Sequence, residues 1–279
     1  MKICQLPEIQ LARVCIFVLF ILLNPPIFGQ GMKDHFPSPK NGNTFVIAHR
    51  GAHQHAPENS LLAYKNAIEM ECDFVEIDLR KTKDGRFVSV HNETVDAYFE
   101  GKSGKVKDFT LAELKQIPLT KNNNGPEIQY IPTFEEILEL CKGQIGIYLD
   151  LKEPDIENQV RIIKEHGMER NIIWYIPASY KKAIVQLKMY CDECRVMPDP
   201  GDESNLLKVL QKIQPQIIAS DMGHLSASFV TTSHSNGAKV FVDDRKATET
   251  EWTQIIDLGT DGIQTDKPEE LIQFLKKNK

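Results

Sequence analysis

The fold is decided by residues 45–93, which read FVIAHRGAHQHAPENSLLAYKNAIEMECDFVEIDLRKTKDGRFVSVHNE. The runs FVIAH (Phe45–His49) and FVEIDL (Phe74–Leu79) are short, apolar and rich in β-branched residues, which is typical of buried strands. Between them, Ser60–Glu71 carries apolar residues at helical spacing. A strand, a helix and a second strand in this order predict an α/β fold with parallel strands.

The same alternation continues to the end of the chain. Six further apolar runs predict strands at residues 144–151, 171–176, 193–197, 216–220, 239–242 and 261–264. Helical patterns fall at residues 134–141, 156–166, 180–190, 205–213, 226–236, 249–258 and 269–277. Eight strands alternating with eight helices in about 250 residues predict a single (β/α)₈ barrel of the TIM type. An open doubly wound sheet is disfavoured, because no glycine-rich dinucleotide turn follows the first strand.

One connection is longer than the others. About forty residues separate His91 from the helix that begins at Phe134, which exceeds an ordinary βα loop. This stretch is polar and holds Gly101 and Gly104. We interpret residues 92–132 as a small insertion at the rim of the barrel, after the second strand, which either covers a site or forms a disordered tip.

The first thirty residues differ from the rest. Residues 14–23 read VCIFVLFILL without a charge, and two prolines follow. Ten apolar residues are too few for a membrane span, which needs about 20, but they suit a secretory signal. We expect residues 1–30 to be a signal peptide before a barrel domain at 31–279, an exported (periplasmic or extracellular) protein, and no stable membrane span after cleavage. An uncleaved anchor is the alternative.

Composition excludes some classes of protein. The chain has 279 residues and a net charge of −6, and its 41% hydrophobic content is that of a globular protein. No basic run indicates a nucleic-acid partner, and the oligomeric state stays open. Cys191 and Cys194 form a lone CxxC pair, which predicts a short surface disulfide or two idle thiols because no second pair completes a zinc site.

Chemistry-bearing residues gather where the predicted strands end, which is the catalytic end of such barrels. His49 and Arg50 end the first strand. Glu76 and Asp78 lie two apart on the second strand and therefore face the same side. Two carboxylates inside a barrel are costly unless a cation lies between them, and a divalent cation with oxygen ligands, Ca²⁺ or Mg²⁺, is the simple answer.

Two more segments complete this set. Asp150 and Lys152 repeat the spacing on the next strand, and His91 follows the apolar run at 87–90. A metal on three carboxylates, cations for phosphate oxygens and two titratable histidines fit phosphodiester cleavage by acid–base catalysis. Two other interpretations remain: a buried ion network without metal, and Lys152 as a counter-ion of the acids.

The strings HRGAHQHAPENSLLAY and DFVEIDLRKTKDGRFVSVHNETV resemble the glycerophosphodiester phosphodiesterase family, and DGIQTDKP is similar to its closing strand. The resemblance implies a barrel that hydrolyses glycerophosphodiesters, as small-molecule substrates, to glycerol 3-phosphate and an alcohol. The resemblance implies that His49 and His91 are the acid–base pair. It implies that Glu76 and Asp78 are metal ligands, and that Arg50 and Lys152 contact the phosphate.

The chain departs from the family pattern at three positions. Asp150 stands where a longer Glu is usual, Asn92 replaces an Asp after the second histidine, and Ala97 lies near the place of a common Arg. Two other functions are weighed against hydrolysis: a lyase-type phosphodiesterase that forms a cyclic phosphate from a phospholipid, and a non-catalytic barrel that binds phosphodiesters.

Other polar residues of the first loop receive structural interpretations. We expect Glu58 and Asn59 to fix the loop, and Asn59 or Ser60 to cap the helix that follows. His53 and His55 lie in the same loop; the default interpretation is that both are solvated, and the alternative is that either reaches the site.

Overall fold

The computed structural model describes residues 36–99, 101–119, 127–246 and 248–278. The predicted signal peptide, residues 1–30, lies outside the described residues. Residues Ser38–Lys279 form one compact unit. Within the described ranges, no helix combines the length and apolar character needed to cross a bilayer.

Eight parallel strands form a nearly closed barrel, which confirms the predicted (β/α)₈ fold. The strands are β1 (Phe45–Ala48), β2 (Phe74–Lys81), β3 (Phe87–Ser89), β4 (Gly146–Asp150), β5 (Ile172–Pro177), β6 (Arg195–Asp199), β7 (Ile217–Asp221), β8 (Lys239–Asp243) and β9 (Gly262–Thr265). The hydrogen-bonded order is β6-β5-β4-β2-β1-β9-β8-β7, and β6 and β7 lie side by side where the described ladder is open. The remaining strand, β3, pairs antiparallel with β2 outside this order.

The helices alternate with the barrel strands, and an apolar core fills the space between the two layers. Side-chain caps begin several of them, as at Ser60 of the first and Thr133 of the third. The helices are α1 (Leu61–Glu69), α2 (Leu111–Leu114), α3 (Phe134–Cys141), α4 (Ile156–His166), α5 (Lys181–Tyr190), α6 (Glu203–Ile213), α7 (Ala227–Ser235), α8 (Glu249–Asp257) and α9 (Pro268–Lys277).

Aromatic rings fill the barrel near the amino ends of its strands. Phe45 lies 6.0 Å from Phe74 and 5.4 Å from Phe241 between ring centroids. Glycines on the neighbouring strands make room for these rings: a Cβ on Gly146 would lie 2.4 Å from Phe74, and one on Gly262 would lie 2.7 Å from Phe241. Because these rings fill the interior at the amino ends of the strands, the space for a polar site lies at the carboxyl ends.

The segment predicted as a rim insertion has its own apolar cluster in the described residues. Strand β3, which the sequence showed only as a short apolar run, forms the base of this cluster. Short 3₁₀ helices (Val95–Ala97 and Val106–Asp108) and α2 pack above it. The buried members are Val88, Val90, Val95, Tyr98, Phe99, Val106, Leu114, Leu119 and Ile131. This packing anchors the loop that carries His91.

The two alternatives for the CxxC pair are separated by the structure. Cys191 and Cys194 form a disulfide between the end of α5 and the start of β6. The disulfide is therefore the alternative that the structure bears out, but both residues are buried, so its expected position at the surface was wrong. Cys72 and Cys141 are buried free thiols.

Candidate active site

A tight turn after β1 places His49 and Arg50 at the carboxyl end of the barrel. Arg50 has φ 53° and Gly51 has φ 82°. A Cβ on Gly51 would lie 2.8 Å from backbone and side-chain atoms of Ala63, so only glycine fits against α1. The turn aims the Arg50 backbone N–H at Oε2 of Glu76, 2.8 Å away. The turn formed by the HRG motif therefore links the end of β1 to Glu76 on β2.

His49 is held by a carboxylate that the sequence analysis did not assign. Its Nδ1 lies 2.6 Å from Oδ1 of Asp266, the residue after β9, and Nε2 of His53 lies 3.2 Å from the same oxygen. Burial alone would raise the pKa of Asp266, but hydrogen bonds from both histidines outweigh it and lower that pKa. An ionised Asp266 fixes the proton of His49 on Nδ1 and leaves Nε2 to face reactants. His53 therefore reaches the site, which was the alternative to its default interpretation as a solvated residue.

Glu76, Asp78 and Asp150 converge on one point. One oxygen of each lies within 4.8 Å of the others, and Glu76 and Asp78 are buried. Burial raises the pKa of Glu76 well above its usual value, and repulsion from Asp78 and Asp150 adds to this. Burial also raises the pKa of Asp150. The group is therefore short of positive charge, as the sequence predicted for a cation site.

Lys152 is the nearest cation to this group. Its Nζ lies 2.5 Å from Oδ2 of Asp150 and 3.2 Å from Oδ1 of Asp78. Burial alone would lower the pKa of Lys152, but these two carboxylates outweigh it and raise the pKa. Burial would likewise raise the pKa of Asp78, and the charges of Lys152, His91 and Arg50, with a hydrogen bond from Asn59, lower it instead. Lys152 was interpreted either as a phosphate contact or as a counter-ion of the acids, and it makes the contacts expected of the counter-ion.

The donor set fits a divalent cation. Oδ1 of Asp78 is buried and accepts no hydrogen bond among the described residues, although Lys152 stands beside it. Three carboxylates so close together supply the hard oxygen ligands that Ca²⁺ and Mg²⁺ prefer. A second group of possible ligands is His49, His53 and Asp266, whose hydrogen bonds already satisfy one another.

The PENS string, residues 57–60, orients the residues of this site by hydrogen bonds. Glu58 accepts a two-pronged hydrogen bond from Nη1 of Arg50, at 2.9 and 3.0 Å. Asn59, at φ 55°, donates to Oδ2 of Asp78 at 3.0 Å and accepts from Tyr64. Ser60 is the residue that caps α1. Glu58 and Asn59 therefore orient Arg50 and Asp78, beyond the loop-fixing role predicted for them.

His91 lies on the loop after β3, half-buried. Its Nδ1 lies 2.8 Å from Oδ1 of Asn92, its backbone N–H donates to the Tyr98 hydroxyl, and Arg80 donates to its carbonyl. Burial lowers the pKa of His91, and the charges of Arg50 and Lys152 act in the same direction. His91 is therefore neutral near pH 7, and Asn92 fixes its ring by a neutral hydrogen bond.

The far wall of the barrel mouth is acidic, and the sequence analysis missed it. Strands β6, β7 and β8 each end in an aspartate: Asp199, Asp221 and Asp243. They line a cavity of about 90 Å³ together with Asp150. Tyr175 donates to Asp199 at 2.7 Å, and Arg245 pairs with Asp243 at 2.8 Å. The signal was present, because each of these aspartates follows an apolar run that predicts a strand.

The fold and the site together define a (β/α)₈ enzyme with its polar groups at the catalytic end. A sequence profile of the glycerophosphoryl diester phosphodiesterase family matches residues 49–197, and the chain belongs to this family. It is thereby placed among the phosphoric diester hydrolases.

Similar proteins span nearly the same length. A glycerophosphodiester phosphodiesterase of Caldanaerobacter subterraneus is 32% identical over 253 residues, which cover 84% of this chain and 98% of the relative. A solved glycerophosphodiester phosphodiesterase of Agrobacterium tumefaciens has a TM-score of 0.72 at 22% identity, covering 82% of this chain and 99% of the other. An Oleispira antarctica phosphodiesterase, solved with the product sn-glycerol-3-phosphate, has a TM-score of 0.73 at 23% identity, with coverages of 83% and 96%.

Proposed function

We propose that this protein hydrolyses glycerophosphodiesters to glycerol 3-phosphate and an alcohol with the help of a divalent cation. The observation that carries the proposal is the convergence of Glu76, Asp78 and Asp150 within 4.8 Å at the catalytic end of the barrel. Family membership and the product bound to the Oleispira relative support the substrate class. Three carboxylates suit either Ca²⁺ or Mg²⁺, and the assay below compares the two.

Glu76, Asp78 and Asp150 would hold the cation. When bound, it would supply Lewis-acid stabilisation of the charge that grows on the phosphate. Lys152 and Arg50 now face these acids, at 3.2 Å and 3.7 Å from Asp78. With a cation on these carboxylates, Lys152 and Arg50 would be available to bind the phosphate oxygens.

The two histidines have different surroundings, which suits different roles. His91 is neutral because burial lowers its pKa, so it is equipped to accept the proton of an attacking water. His49 is oriented by the ionised Asp266 at 2.6 Å, with Nε2 directed away from that carboxylate. We assign His49 as the acid for the leaving alcohol: the doubly protonated ring gives its Nε2 proton to the leaving oxygen and returns to the neutral form, whose remaining Nδ1 proton is held by Asp266.

The assay is release of glycerol 3-phosphate from glycerophosphocholine, followed with a coupled dehydrogenase in Ca²⁺, Mg²⁺ or EDTA. His49→Ala is expected to lower kcat by about 10²- to 10⁴-fold, the usual contribution of a general acid. His55→Ala is the matched control, because His55 is exposed in the same loop. Absence of release with either metal, from a folded protein, contradicts the proposal.

Export is a second part of the proposal. It rests on the uncharged apolar run at residues 14–23 and the prolines behind it. Mass spectrometry of the protein recovered from the medium or periplasm should give an N-terminus near Gln30. Recovery of the intact chain from the cell membrane contradicts cleavage.

A further inference from the structure

Exposed apolar side chains are concentrated on the outer face of α5, beside α6. Among the described residues, six large hydrophobic side chains are exposed, and three of them lie on α5 or at its start. Val185 and Met189 are 65% and 66% exposed, and no part of the site described above uses them. The three are Tyr180, Val185 and Met189. A cluster of this kind marks a contact surface for a partner.

The same face is strongly basic, although the chain as a whole has a net charge of −6. Helix α5 carries three lysines and no acidic residue, and α6 carries two lysines and Glu203. Glu203 accepts hydrogen bonds from Ser226 and Ser228, next to α7 and away from α5. The five exposed lysines are Lys181, Lys182, Lys188, Lys208 and Lys212. The face is therefore cationic and apolar at once.

A groove of about 430 Å³ runs between the two helices. Its upper end is formed by residues that follow β5 and β6, such as Ala178 and Pro200, and so lies at the catalytic end of the barrel. At its lower end, Nζ of Lys188 donates to the carbonyl of Ile213 at 2.7 Å. Apolar side chains form its floor and lysines its edges: Ile184 and Val209, and Lys181, Lys188, Lys208 and Lys212.

We propose that the α5–α6 face binds the surface of a bilayer that contains anionic phospholipid. Lysines beside exposed apolar side chains are the pattern of surfaces that lie in the membrane interface, where the cations meet lipid phosphates and the apolar groups enter the acyl boundary. The proposal goes beyond hydrolysis and does not depend on it.

Two other occupants fit the face less well. A small soluble anion pairs with the lysines but leaves Val185 and Met189 in water. A second copy of the chain, related by a twofold axis, would set these lysines against their own counterparts, and like charges at close range disfavour such a contact. An anionic bilayer satisfies both the charge and the apolar groups. Because the groove begins at the catalytic end, a protein bound this way holds the barrel mouth beside the lipid surface.

The test is vesicle binding by the full chain, with phosphatidylcholine vesicles compared to vesicles of equal parts phosphatidylcholine and phosphatidylglycerol. Because residues 14–23 are themselves apolar, the readout is the ratio of the two dissociation constants. The protein should favour the anionic vesicles. Substitution of Lys181, Lys188, Lys208 and Lys212 by Gln should lower this preference by about two orders of magnitude or more, since each lysine near an anionic surface contributes about fivefold.

The matched control replaces four exposed lysines elsewhere, Lys83, Lys107, Lys276 and Lys277, and so makes the same change in net charge. It should retain most of the preference. Thermal unfolding and turnover of soluble glycerophosphocholine should be unchanged in both variants, which separates loss of binding from loss of fold or of catalysis.

A second readout tests how deeply the α5–α6 face enters the bilayer. In Met189→Trp, a blue-shifted indole emission and quenching by brominated acyl chains are expected on anionic vesicles. An equal loss of preference in both lysine variants, or no preference in the wild type, overturns the proposal. A dimer in analytical ultracentrifugation that the groove variant dissociates also overturns it and assigns the face to a second copy.

Discussion

Nδ1 of His49 and Oδ1 of Asp266 lie 2.6 Å apart although 217 residues separate them in the chain. The pairing of the first and last barrel strands explains this: Ala48 of β1 is opposite Thr265 of β9, so the residues that follow each strand emerge side by side. Closure of the barrel thus assembles the His49–Asp266 pair.

Asp266→Asn should lower kcat by about 10²- to 10⁴-fold with little change in KM. The amide cannot accept the Nδ1 proton in the same way, so the tautomer and the stabilisation of the imidazolium are both lost. Steady-state kinetics with glycerophosphocholine measure the effect. His53→Asn is the control, because its contact with Asp266 is longer at 3.2 Å, and its loss should cost less than about tenfold. Equal effects of the two substitutions would show that the pair does not orient His49.

Asn92→Asp should raise the pKa of His91. A carboxylate at the position of the Asn92 amide, 2.8 Å from Nδ1, favours the protonated ring and opposes the burial that lowers the pKa. The limb of the kcat/KM pH profile that reports the base should move to higher pH by about one unit, measured at saturating metal. A profile that does not move argues against His91 as the base.

Asp244→Asn should stabilise the folded protein at about pH 7. Burial, with the charges of Glu251 and Asp243, raises the pKa of Asp244 to about 6, and its Oδ2 accepts no hydrogen bond among the described residues. A raised acid pKa means that the folded state loses stability as the pH rises from about 4 to 6. Over this range the unfolded chain releases the proton freely, whereas the folded protein must bury the resulting charge. After discounting for solvent screening, the gain is about 1 kcal/mol.

Urea unfolding checks this gain at pH 7 and at about pH 3, below both the unfolded and the folded pKa, where the carboxyl is largely protonated in both states and the gain should be small. Asp257→Asn, an exposed position on α8, is the control and should change little. A gain of the same size at both pH values would assign it to packing instead of charge.

The acidic wall of the mouth predicts a preference for substrates whose alcohol is positively charged. Asp199 is held by the Tyr175 hydroxyl at 2.7 Å, near Asp221 and Asp243 in the same cavity. Asp199→Asn should lower kcat/KM for glycerophosphocholine about fivefold relative to glycerophosphoglycerol, the effect of about 1 kcal/mol of charge attraction. The uncharged glycerol head group serves as the internal control, and an unchanged ratio would remove Asp199 from head-group recognition.

Local pattern was sufficient to predict the barrel. Helices α3 and α4 begin and end at the predicted residues, and the barrel strands fall within two residues of prediction. Strand β3 was not predicted as a strand, because a three-residue run has too few positions to show a period of two. Its hairpin with β2 depends on tertiary pairing.

Individual residues at the mouth were harder to predict. Glu76 and Asp78 were found because two carboxylates on one apolar strand are conspicuous, and Asp150 was found because it repeats their spacing with Lys152 on the next predicted strand. Asp266 follows the last strand as an ordinary loop residue, and only closure of the barrel brings it to His49. Asn59 looked like a helix cap, whereas its side chain donates to Asp78.

The central claim is that this site hydrolyses glycerophosphodiesters with a divalent cation. The most direct measurement is ³¹P NMR of glycerophosphocholine incubated with the protein and Ca²⁺ or Mg²⁺, beside Glu76→Gln and an EDTA sample. The account predicts a single product resonance, that of glycerol 3-phosphate, which is absent with EDTA and strongly reduced in Glu76→Gln. A cyclic phosphate as the final product would show a lyase, and an unchanged substrate resonance with a folded protein would show a barrel that does not turn over this diester; either result contradicts the claim.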